Sequence, residues 1–178
     1  MKEDFYKADR ETYKKVAPII KKLFNQYSAT TTIEETEDGD RVDIYMTANT
    51  KYNDSYYVME VKNREGRYTF SKFWDAEEGY LSKEEYDLTK EESTLGKGQL
   101  IKEKKIKALI QRAGESRKAM YVVNFPDNVM AFWTIDASTK YGEIDLFYDK
   151  YNVEKGEKEM QHNYTLMLHD ATFIYHYE

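Results

Sequence analysis

The chain has 178 residues, with no cysteine, two prolines and eight glycines. That length suffices for the core of one domain, and the composition excludes disulfides, thiolate metal sites and a low-complexity linker. With 27 basic and 33 acidic residues the net charge is −6, which argues against indiscriminate polyanion binding.

In chain order, MKEDFYKADRE is charged from its second residue and lacks the apolar core of a secretion signal. No apolar run approaches the roughly 20 residues a bilayer demands. A cytoplasmic chain without membrane contact is therefore expected. Residues 3 to 27 predict a helix, because Phe5, Asp9, Tyr13, Val16, Ile20, Leu23, Phe24 and Tyr27 recur on one face. Pro18 predicts a kink or a fresh helix start. Residues 28 to 37 (SATTTIEETE) turn β-branched, and two further strands follow at 41 to 48 and 55 to 63. Residues 64 to 94 form an irregular insertion. Within it, residues 65 to 92 carry nine acids and four bases. A helix is expected over 97 to 113, ending at Gly114. Strands are expected at 119 to 125 and 129 to 135, then near 143 to 148, and a last hairpin near His169 and Asp170. The order α-β-β-β-α-β-β predicts an α/β (α+β) fold of one domain, a mixed central sheet flanked by helices. Its core would span about 5 to 135, with C-terminal β additions from 136 to 178.

The chemistry concentrates in the second and third strands. Paired as an antiparallel hairpin across residues 49 to 54, they divide into two faces. Val42, Ile44, Met46, Tyr57, Met59 and Val61 make one wholly apolar face. Arg41, Asp43, Tyr45, Val58, Glu60 and Lys62 make the other. If the hairpin is symmetric about its loop, paired positions sum to 103, and Asp43 sits opposite Glu60. Directly opposed residues lie about 5 Å apart at Cβ. Two carboxylates that close call for a cation between them, and hard oxygen donors suit Mg²⁺ or Mn²⁺. The same residues also admit a plainer reading, an exposed salt-bridge cluster on a half-solvated sheet.

Asp43 followed by Glu60-Val61-Lys62, on a hairpin after a helix and a strand, resembles the PD-(D/E)xK nuclease superfamily, with its restriction-endonuclease-like fold. Val42 stands where that motif commonly has proline. The resemblance implies a metal-dependent endonuclease that hydrolyses phosphodiester bonds, on DNA in preference to RNA. It implies that Asp43, Glu60 and the carbonyl of Val61 hold Mg²⁺ or Mn²⁺. Lys62 would then orient or deprotonate water and stabilise developing charge. Similar nucleases set a Gln or Lys from the next helix beside the site, which nominates Gln99 and Lys102. Those two continue the expected stripe of Ile106, Leu109, Ile110 and Ala113, and Lys105 lies on its flank. Asp9 on the first helix is a weaker acid candidate.

Residues 97 to 118 hold eight bases and two acids, the main basic island of the chain. It reads equally as a phosphate contact or as a solubilising face. In the insertion, Arg64, Arg67, Tyr68, Phe70, Phe73, Trp74 and Tyr80 read first as packing. Base stacking and a homodimer contact are the other uses of such residues. His162, His169 and His176 fall seven apart, a step that changes face in a strand, and read as incidental. The second functional class is a catalytically inactive module for nucleic-acid binding or protein interaction on the same fold.

Overall fold

The computed structural model describes residues 2–27, 30–36, 43–80, 98–142, 146–152 and 156–178. Helix α1 (Lys2–Phe24) leads into β1 (Thr30–Glu35), β2 (Ile44–Asn49) and β3 (Asp54–Asn63). Helix α2 (Phe70–Glu77), β4 (Gln99–Lys102) and α3 (Glu103–Ala113) separate these strands from β5 (Lys118–Phe125) and β6 (Val129–Thr134). Then come β7 (Leu146–Asn152), β8 (Glu157–Leu166), a 3₁₀ turn (Leu168–Asp170) and β9 (Phe173–His176).

A mixed sheet runs in the order β1-β2-β3-β5-β6-β9, and a smaller sheet in the order β4-β8-β7. Only β3 and β5 pair in parallel within the larger sheet. Parallel pairing needs a long crossover, here the segment containing α2, β4 and α3. Both faces of β5 are buried, so KAMYVVNF reads as a nearly unbroken apolar run.

One face of the large sheet packs on α1. Val16, Ile20 and Leu23 meet Ile44, Met46, Met59, Met120, Val122 and Phe132 there. The opposite face gives Val58, Tyr121, Val123 and Trp133 to a second core. That core also takes Phe70 and Phe73 from α2, Ala108 and Leu109 from α3, and Ile101 and Leu166 from the small sheet. A sheet covered on both faces by helices matches the expected fold class. No helix among the described residues is long and apolar enough to cross a membrane.

Several expected elements differ. Helix α1 continues through Pro18 without a break, with the proline on its exposed side. The helix expected from 97 starts only at Glu103, because Gln99–Lys102 pairs antiparallel with β8, Gln99 opposite Leu166 and Lys102 opposite Asn163. Gly98 opens that strand at φ 78°, where an added Cβ would run into the Thr165 side chain. The expected hairpin near His169 is instead the 3₁₀ turn, after which β9 returns to pair with β6 of the large sheet. Part of the insertion is the ordered helix α2. Thr69 caps it, and Asp127 accepts from the Phe70 and Ser71 N–H groups. Its Phe70 and Phe73 are buried, as the packing reading expects, whereas Tyr80 is exposed. Residues 81–97 lie outside the described residues, as do Arg41, Val42 and the side chain of Asp9.

Candidate functional site

The β2–β3 register follows the predicted sum. Every pair from Ile44↔Met59 to Asn49↔Asp54 adds to 103. The cause is the apolar set Ile44, Met46, Tyr57, Met59 and Val61, all packed in the α1 core. Tyr45 and Val58 pack in the opposite core, on the face that takes Glu60.

At Asp43 the pairing slips by one residue. Its N–H donates to the carbonyl of Met59 (2.9 Å), and its own carbonyl accepts from the Thr36 N–H (3.1 Å). Its carboxylate takes over a ladder bond: Oδ2 accepts from the Val61 N–H at 2.7 Å. This pins a carboxylate against the backbone beside Glu60. In a strand the N–H and C=O of one residue point the same way, so the Val61 carbonyl faces the same gap. Irregular pairing of this kind commonly re-aims a side chain next to a site.

The Glu60 side chain is only 12% exposed. Its Oε1 accepts from Lys105 Nζ at 2.7 Å. Its Oε2 is buried and meets no hydrogen-bond partner. Burial, reinforced by the charge of Asp43 and only partly offset by Lys105, pushes the Glu60 carboxyl up to about 8. At neutral pH the group is therefore mostly protonated when no further cation is present. Tyr121 stands opposite Glu60 on β5, its hydroxyl donating to the carbonyl of Leu100.

Helix α3 brings the Lys105 side chain to Glu60. The buried stripe of α3 is Ala108, Leu109 and Ala113, while Ile110 is 45% exposed. Leu109 and Ala113 are buried and Ile106 packs against the core as expected, but Ala108 takes the contact expected of Ile110, so the buried face turns by less than one residue step towards Lys105. Lys102 is half-buried at the β4–α3 junction, with extended backbone (φ −74°, ψ 139°). Gln99 is fully buried, and its amide is engaged elsewhere. Its Oε1 accepts from Arg64 Nε and Nη2 at 3.0 and 2.8 Å, and its Nε2 donates to the carbonyl of Gly98. Arg64 also lies over the Tyr68 and Phe73 rings. Gln99 therefore ties the small sheet to Arg64 at the end of β3, and its bonds to Arg64 and Gly98 engage its amide away from the acid pair. Lys62 is half-buried on β3, two residues past Glu60.

The histidines go to separate places. His162 lies beside Glu103 (3.3 Å), His169 beside Glu78 and the Trp74 ring, and His176 against Phe70. Among the described residues, no group of three or more His, Cys, Asp or Glu gathers in one place.

Two carboxylates and a backbone carbonyl match the donor chemistry of Mg²⁺, which keeps several waters and takes only one or two protein carboxylates. The closeness of the Asp43 and Glu60 carboxyls, which raises Glu60, fits such a hard cation as well. Comparison with known proteins gives no further guide: no family model, no curated protein and no solved structure matches the chain.

Proposed function

We propose that the chain is a metal-dependent nuclease hydrolysing phosphodiester bonds in DNA, on a restriction-endonuclease-like core. The observation that carries this reading is the acid pair, Asp43 held against the Val61 N–H beside a buried Glu60 whose carboxyl is pushed up by burial and by Asp43. Asp43, Glu60 and the Val61 carbonyl would hold Mg²⁺ or Mn²⁺. When bound, such an ion lowers the pKa of a water and offsets transition-state charge. Lys62, on the expected site face, supplies a positive charge to orient that water and meet the developing negative charge. Lys105 supplies a second cation from α3, bonded to Glu60 itself. Gln99 drops out of the proposed machinery because Arg64 holds its amide. Lys102 keeps at most an outer role. The cysteine-free composition suits the reducing cytoplasm, which is the compartment we propose.

One observation favours the inactive module instead. Lys105 already gives Glu60 a counter-charge at 2.7 Å, so the pair has a cation without any metal. The two readings separate in one experiment: incubation with labelled DNA and RNA of several structures, with Mg²⁺, with Mn²⁺ and with chelator. Cleavage that requires the ion and is lost in Asp43→Asn supports the nuclease. Nucleic-acid binding without cleavage under every ion would leave the module.

A further inference from the structure

Along β2, Tyr45 lies two residues from Asp43, an advance of about 6.6 Å on a strand. Tyr45 packs at the margin of the core that takes Val58, the face that also takes Glu60. Helix α3 packs over β3 and β5, which leaves β2 beside it. Arg117 closes the turn after α3, immediately before β5. Its N–H donates to the carbonyl of Ala113, and its guanidinium carbon sits 4.9 Å from the centre of the Tyr45 ring. Arg117 is exposed, and among the described residues its guanidinium meets no carboxylate. An arginine laid over a ring loses freedom but keeps its N–H donors. Those donors match the geometry of a phosphate, which a planar fork can bind through two bonds.

We propose that Arg117, held by Tyr45, is the clamp for the DNA phosphate next to the one cleaved at Asp43 and Glu60. The inference rests on the nuclease reading and deepens it. It assigns a substrate-positioning residue and a direction, with the strand running along β2 from the acid pair towards Tyr45. Lys105 and Arg117 would then flank two successive phosphates, one at the acid pair and one at the clamp. The ring matters because it fixes the fork. A lysine at position 117 keeps the charge but loses the planar geometry.

The test measures binding of fluorescent DNA by anisotropy in chelator, across a salt series, then steady-state cleavage in Mg²⁺. Arg117→Ala should weaken binding about tenfold and flatten the salt slope by about one unit. In cleavage it should raise KM far more than it lowers kcat. Arg117→Lys should restore the slope and only part of the affinity. Tyr45→Leu should resemble Arg117→Lys, whereas Tyr45→Phe should behave as wild type. Lys118→Ala, which removes a neighbouring exposed charge, should do little. Equal losses from Arg117→Ala and Lys118→Ala would overturn the clamp in favour of a diffuse basic surface. Wild-type binding and cleavage with an unchanged Arg117→Ala would overturn the clamp and leave the nuclease. A wild type that neither binds nor cuts any DNA would overturn both. Thermal unfolding of each variant separates a lost contact from a lost fold.

Discussion

Replacing Glu60 by Gln should stabilise the metal-free protein at alkaline pH. The Glu60 carboxyl is raised from 4.5 to about 8 in the folded chain. The folded state therefore holds the proton more tightly than the unfolded state, and stability falls as pH rises between those values. The fall begins near pH 4.5 and ends near pH 8, above which both states are deprotonated. The interval of 3.5 units corresponds to about 5 kcal/mol. Water reaching the 12% exposed side chain lowers the realised figure. Even half of it matters against a typical total of about 5–15 kcal/mol. Glutamine keeps the shape and carries no charge, so Glu60→Gln should lack this slope. The assay is urea unfolding of both proteins with chelator, from pH 5 to pH 9, reading the difference in ΔG. That difference should grow by at least about 2 kcal/mol in favour of Glu60→Gln and level off above pH 8. Adding Mn²⁺ at 100 times its Kd should stabilise the wild type by about 2.7 kcal/mol and leave Glu60→Gln nearly unmoved. A pH-independent difference would refute the buried, Asp43-coupled carboxyl.

Asp43→Asn, Glu60→Gln and Lys62→Ala should each abolish ion-dependent cleavage with the fold intact by circular dichroism, and the triple variant should be no worse, since such groups act as a unit. A Lys62→Ala enzyme as fast as wild type would remove Lys62 from the mechanism. Lys105→Ala should push Glu60 above its present value, because the lysine lowers it, and the stability slope should then extend to higher pH in the same unfolding series. Lys104→Ala, on the exposed side of α3, should leave both stability and cleavage near wild type. Gln99→Ala should cost about 1–3 kcal/mol in urea unfolding, as the Arg64 guanidinium loses a buried acceptor, yet a folded Gln99→Ala should retain the cleavage rate.

The acid pair was legible in the sequence for a physical reason. Alternation puts Ile44, Met46, Met59 and Val61 on one side, and a one-residue slip would bury the opposite set instead. The core therefore fixes register as far as Ile44 and Met59, which brings residue 43 beside residue 60, although the slip at Asp43 removes their direct opposition. The local slip at Asp43 was not legible, because it rests on the Asp43 N–H bonding the Met59 carbonyl while the Asp43 carboxylate takes the Val61 N–H.

One edge of the α3 stripe differs from expectation for a related reason, while Leu109, Ala113 and Ile106 meet the core as expected. Ile106 and Ile110 outweigh Ala108 on any hydropathy reading, yet Ile110 is exposed and Ala108 is buried. A helix lying close on a sheet favours small side chains at the contact, and hydropathy does not weigh size. The start of the helix was lost as well, since Gln99–Lys102 is a strand only through its pairing with β8, more than 60 residues away. The two differences act together: Lys102 belongs to the strand and not to the helix, and burial of Ala108 in place of Ile110 brings Lys105 to Glu60. The basic island was visible in composition, but which of its cations meets Glu60 was decided by Ala108 and Leu109. The same geometry separates two members of that island, Lys105 bonded to an acid and Arg117 resting on a ring, and gives each its own measurable consequence.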